Sequence, residues 1–110
     1  MPNRWAHYLI SGKKMNKAGT HIEYVEVRPD LGDKVGLPMT WTRTCAIKHV
    51  LTGNYTFMTI IKDSERKWAP GAKVEVVEVD GKQFLRTDPN PRANDNLDNL
   101  PDFVPGNVCC

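Results

Sequence analysis

Residues 73–86 read "KVEVVEVDGKQFLR", and the Asp80-Gly81 pair at the centre of this stretch constrains the fold more than any other dipeptide in the chain. Asp-Gly readily takes the positive-φ two-residue turn whose twist matches that of paired strands, so 73–81 and 82–87 are expected to form the two arms of a tight antiparallel hairpin. Aromatic and β-branched residues mark three further strands, at 5–11, 21–29 and 55–62. Gly12, Asn16 and Gly19 lie between the first two, which therefore read as a long hairpin. The stretches 30–38 and 63–72 are broken by Gly, Pro and charged residues and read as loops. Helical spacing occurs once, over 40–54, where Ala46, Ile47, Val50 and Leu51 make an apolar stripe expected to face the sheet. Thr40 is a natural N-cap there, Gly53 or Asn54 a natural C-cap, and Lys48 and His49 stand where the helix dipole favours cations. The expected fold is α+β, in the order β-β-α-β-β-β, with a curved antiparallel sheet or partly open barrel crossed by one helix.

A chain of 110 residues with 40% hydrophobic and 25% charged residues suffices for one core. A single domain over 1–103 is expected, including a docked tail at 88–103 and followed by a frayed segment at 104–110. The opening "MPNRWAHYLISGKK" does not have the pattern of a signal peptide, and no apolar run approaches the roughly 20 residues that span a bilayer. The expectation is a cytoplasmic protein with no membrane partner. Three cysteines, two of them adjacent at Cys109 and Cys110, do not make a disulfide framework and fit a reducing compartment. The Cys-Cys pair resembles a prenylation signal of small GTPases, but without their phosphate-binding loop it reads as two exposed thiols.

The tail, "RTDPNPRANDNLDNLPDF", is unusually rich in Asp, Asn and Pro. Residues 1–87 hold 14 Lys/Arg against 9 Asp/Glu, a net +5, whereas 88–110 hold one Arg against four Asp, a net −3. Opposite signs on two segments favour docking of one on the other. Leu97, Leu100 and Phe103 recur at spacing three as apolar anchors, which a solvated tail does not need. Arg43 precedes Ala46, Ile47 and Val50 on the buried side of the first helical turn, so its guanidinium must snorkel out or meet a carboxylate. The expected clasp therefore brings at least one of Asp88, Asp95, Asp98 and Asp102 within reach of Arg43 or Arg86, with the three anchors in a groove beside the helix.

Three segments together, "WTR" opening the helix, "GAKVEVVEVDGKQFLRTDPN" through the last hairpin and "DNLDNLPDF" in the tail, resemble a family of small bacterial proteins known only as a domain of unknown function. The resemblance runs from about Tyr8 to Phe103. It implies a bacterial or phage origin and a tail that belongs to the domain, and it carries over no activity, cofactor or catalytic residue. Cys45 and the added "VPGNVCC" depart from the family's pattern.

Alternate oxygen ligands at Asp88 and Asn90, or at Asp95, Asn96 and Asp98, are raw material for a calcium loop. No Gly falls at the sixth position and no Glu at the twelfth, so no metal and no cofactor are expected. His7, His21, His49 and Cys45 are scattered, with no nucleophile motif, so no catalytic residue is assigned. Lys13, Lys14 and Lys17 in the first hairpin, with Arg66, Lys67 and Trp68 in a later loop, combine cations with an aromatic as single-strand nucleic-acid sites do. Interleaved Asp63 and Glu65 blunt that field, and a solvated lysine surface is favoured. Trp41 and Trp68 are expected to pack in a core rather than line a pocket. The functional expectation is a small non-enzymatic binding or interaction module, with an unknown protein partner or self-association. A nucleic-acid-binding protein and a small enzyme whose site the sequence conceals are the alternatives.

Overall fold

The computed structural model describes residues 5–19, 21–87, 97 and 100–110. The elements in chain order are β1 (Tyr8–Met15), β2 (Ile22–Pro29), β3 (Met39–Thr42), α1 (Arg43–Thr52), β4 (Phe57–Lys62), β5 (Trp68–Lys73), β6 (Glu75–Val79) and β7 (Lys82–Arg86). Five strands make one sheet in the order β3-β2-β1-β4-β5, and β6 pairs with β7 in a separate two-stranded sheet. The α+β class and the one helix among the described residues agree with expectation, and the described strands do not close into a barrel.

The sheet is mixed rather than wholly antiparallel, because β1 pairs β4 in parallel from Tyr8↔Phe57 to Ile10↔Thr59. β3 is antiparallel to β2, and β2 to β1, so β3 and β4 point the same way on opposite sides of β2 and β1. Parallel strands cannot be joined by a tight turn and need a crossover, usually a helix. That is the topological reason for α1. Two short strands lie where the sequence reads as loop or helix start. β5 contains Pro70 and Gly71, which are tolerated because it is the sheet's edge. β3 is only four residues long and runs straight into α1.

This moves the helix cap. Thr40 and Trp41 are committed to pairing with Glu26 and Val25, so the N-cap is Thr42, whose hydroxyl accepts a bond from the Cys45 N–H at 3.1 Å. Gly53 closes the other end with φ 72° and its N–H on the Val50 carbonyl. At the last hairpin Asp80 and Gly81 take φ 52° and 77°, the turn expected from their sequence.

One core is built from all parts of the chain: Ile10 of β1, Val25 of β2, Ile47 of α1, Leu85 of β7, and Leu97 and Leu100 beyond the last strand. On the helix, Ala46 and Ile47 are buried and Val50 is half-buried, but Leu51 is 53% exposed. Leu51 therefore does not face the sheet. It stands at the rim of a groove between α1 and the β6–β7 hairpin. Ile47→Ala should cost about 2–5 kcal/mol by lost burial and cavity formation, and Leu51→Ala under about 0.5 kcal/mol, as for most surface changes. Denaturant melts of the two variants check this difference, and equal losses would reject the face assignment.

Candidate functional site

The β6–β7 hairpin shares no ladder with the main sheet, so the space between it and the outer side of α1 stays open. That groove has a volume of about 950 Å³. Ile47, Leu51 and Phe84 give it apolar surface, while Arg43, Lys48, Lys82 and His21 surround it with basic groups. Among the described residues, no Asp or Glu lines it. Arg43 is among the side chains that shape it: Nη2 donates to the Gln83 carbonyl at 2.5 Å and the guanidinium lies 5.6 Å from the centre of the Phe84 ring. The first-turn arginine thus reaches the neighbouring hairpin, where a main-chain oxygen and a ring face receive it.

The described tail residues pack on the body. Leu97 and Leu100 are 1% and 3% exposed and belong to the core that includes Ile47. Phe103 lies instead against β1, where a side chain at Gly12 would press within 3.3 Å of its ring and of the Pro101 carbonyl. Main-chain bonds from the Lys13 N–H to Pro101 O (3.1 Å) and from the Phe103 N–H to Lys13 O (3.3 Å) fix this segment beside β1. Arg86 is 2% exposed and is not without a partner. Asp88, Asp95 and Asp98, the carboxylates expected to meet the arginines, lie outside the described residues, as do the calcium-type positions Asn90 and Asn96. Asp102 bridges Lys13 through the main chain, and the residue itself is exposed.

Of the residues considered for nucleic acid, Lys14, Lys17, Arg66 and Lys67 are exposed. Lys13 donates from Nζ to the Leu100 carbonyl at 2.7 Å, and Lys67 lies 3.4 Å from Glu65. Trp68 is half-buried, with Arg28 and Lys62 at 5.0 and 4.3 Å from its ring centre. Its ring packs against the small cluster of Ala6, Leu9 and Ile60, whereas Trp41 is buried in the main core.

Residues 106–110, expected to fray, run beside β3. Gly106 N–H donates to Thr40 Oγ1 (3.0 Å), Cys109 N–H to Thr40 O (2.8 Å), and Thr42 N–H to Cys110 O (2.8 Å). This seats Cys110 over the start of α1, where it is joined to Cys45 in a disulfide. Cys109 keeps a free, exposed thiol. Sequence reasoning missed the bridge because an odd cysteine count says nothing of which pair a strand-like segment will bring together. It also missed Lys48, Lys82 and His21 as groove residues, since each reads alone as a solvated side chain. The Cys45 to His49 spacing of four, which places both on one side of a helix, was the available signal.

A family profile described as a protein of unknown function covers residues 10–101. The chain belongs to the DUF3892 family. The DUF3892 span takes in the helix, both hairpins and the buried Leu97 and Leu100, and it ends before Cys109 and Cys110. No curated protein and no solved structure matches the chain.

Because Leu97 and Leu100 lie in the same core as Ile47, Leu100→Ala should cost about 2–5 kcal/mol. Truncation after Thr87 should abolish cooperative unfolding altogether. Thermal melts followed by circular dichroism check both, and a truncated chain melting at the intact temperature would show that the tail carries none of the stability.

Proposed function

We propose that this protein is a non-enzymatic binding module and that the groove between α1 and the β6–β7 hairpin takes an acidic protein segment carrying apolar side chains. The observation that carries the reading is the lining of the groove, where four basic residues surround Ile47, Leu51 and Phe84 with no carboxylate among the described lining residues. Uniform sign in a concave site focuses the field on an anionic partner and raises its rate of encounter. A bare anion leaves the apolar surface between the charges uncovered, whereas the Leu or Phe of a peptide can cover it. The volume, about 950 Å³, is at the upper end of the roughly 300–1,000 Å³ range of ligand pockets.

The nucleic-acid reading is weaker on the same ground. Trp68, the aromatic that would stack a base, already carries Arg28 and Lys62 at its ring, and Lys13 is engaged by the Leu100 carbonyl. The reading keeps the protein in a bacterial or phage cytoplasm, as the family resemblance and the cysteine count suggest. A Cys45–Cys110 bridge there must coexist with reducing thiols.

The test is fluorescence anisotropy with labelled peptides that alternate Asp or Glu with Leu or Phe, beside single-stranded oligonucleotides of mixed sequence. Binding of the acidic peptides is expected, weakening as salt rises and falling by about tenfold or more in a Lys48→Glu, Lys82→Glu double variant, since like charges at a binding face cost several kcal/mol. Replacing Lys13, Lys14, Arg66 and Lys67 with Gln should leave it unchanged. Oligonucleotide binding lost in that second variant, or no peptide binding at low salt, would overturn the proposal.

A further inference from the structure

The Cys45–Cys110 bridge raises a question separate from the groove, because its two sulfurs sit in unequal surroundings. The Cα atoms are 5.8 Å apart and the residues 65 apart in sequence. Cys45 is the third residue of α1, where its N–H is bound to the Thr42 cap and the positive end of the helix dipole stabilises a thiolate. One turn on, His49 Nδ1 lies 2.9 Å from the Cys45 carbonyl and 3.4 Å from Cys45 Sγ. A carbonyl only accepts, so Nδ1 carries the hydrogen, and that N–H is also presented to the sulfur. The imidazole is held in place by Trp41, with ring centres 4.9 Å apart. Cys110 arrives on a strand-like segment, and its sulfur, though within 4.8 Å of a His49 ring nitrogen, makes no hydrogen bond to it among the described residues.

We propose that this bridge is a thiol-exchange site at which Cys110 receives a low-molecular-weight thiol and Cys45 departs as the stabilised thiolate. In thiol–disulfide exchange the sulfur with the lower thiol pKa is the better leaving group, and a helix N-terminus together with an N–H donor lowers that value. The external thiolate attacks Cys110 Sγ. A new S–S bond forms there, the bond to Cys45 breaks, and its electron pair stays on Cys45 Sγ beside the His49 N–H. A second external thiolate then attacks the small-molecule sulfur of the mixed disulfide and releases Cys110 as a thiolate. The net result is one protein disulfide reduced to two thiols and two monothiols oxidised to their disulfide. Once the bond is open, residues 106–110 are held by their hydrogen bonds to Thr40 and Thr42.

Cys45, His49 and Cys110 also present ligand atoms within 4.8 Å of one another, the reach of a metal centre. The ring nitrogen nearest the sulfur is occupied by its hydrogen and the Cys45 carbonyl, so exchange accounts for the arrangement better than coordination does.

The experiment uses the whole chain with Cys109→Ser, which removes the exposed free thiol. The oxidised protein is treated with limiting reduced glutathione at pH 7, quenched with acid and mapped by mass spectrometry. Mixed disulfide is expected on Cys110 in at least tenfold excess over Cys45. In equilibrium titrations with glutathione, His49→Phe, which keeps a ring against Trp41, should shift the balance toward the bridged form by about tenfold, or ~30 mV for a two-electron couple. His49→Ala should do the same if folded. Adduct on Cys45 or on both cysteines equally, a His49→Phe equilibrium equal to that of the parent, or an oxidised protein whose peptide map lacks the Cys45–Cys110 link would overturn the proposal.

Discussion

The parallel pairing of β1 with β4 ends at Ile10↔Thr59, and the edge it leaves open along the rest of β1 determines how the end of the chain is placed. A buried strand cannot leave its N–H and C=O groups unpaired without a cost comparable to a lost hydrogen bond for each. Lys13 lies past the point where β4 departs, and its main chain is satisfied by Pro101 and Phe103 instead. Gly12 permits this approach, since any side chain there would crowd the Phe103 ring and the Pro101 carbonyl. The stretch that carries Leu100 into the core is thus the one that completes the ladder of the central strand.

The same parallel pairing explains the helix and, through it, both sites. A chain leaving β3 must cross β2 and β1 before it can enter β4, and α1 makes that crossing. Its ten residues serve three neighbours. Ala46 and Ile47 are buried in the core, Cys45 is bonded to the segment running along β3 with His49 beside it, and Lys48 and Leu51 face the groove beside the hairpin. Because β6 and β7 are held against α1 by side-chain packing rather than by a shared ladder, a cleft can open there without breaking any strand pairing.

How much of the fold was legible in the sequence depends on the range of the interactions involved. The last hairpin could be read because Asp80-Gly81 determines its own turn, and the helix because its apolar spacing is local. The cap was misplaced by two residues, since Thr40 and Thr42 are equally good caps and only pairing with Glu26 takes Thr40 out of contention. β5 was missed because Pro70 and Gly71 argue against a strand, and only its place at the edge makes them tolerable. Leu51 fits the helical stripe by spacing, but a short helix with a detached hairpin beside it does not bury every apolar position that the stripe supplies. Pairings between distant segments, such as Thr42 with Cys110, leave no trace in local composition.

The tail's described contacts are apolar and main-chain ones, and three of its four Asp residues lie outside the described residues. Leu97 and Leu100 enter the core as apolar anchors, and the bonds to Lys13 come from the main chain, through Pro101 and Phe103. Lys13 Nζ likewise donates to a main-chain oxygen, the Leu100 carbonyl. Exposed ion pairs contribute little in water, whereas burying two leucines is worth roughly 1.5–3 kcal/mol for each side chain. Apolar burial therefore holds Leu97 and Leu100 in place. Ile47, which shares that core with Leu97 and Leu100, also lends apolar surface to the groove beside α1, so the docking of the tail and the shape of the groove are coupled through one side chain.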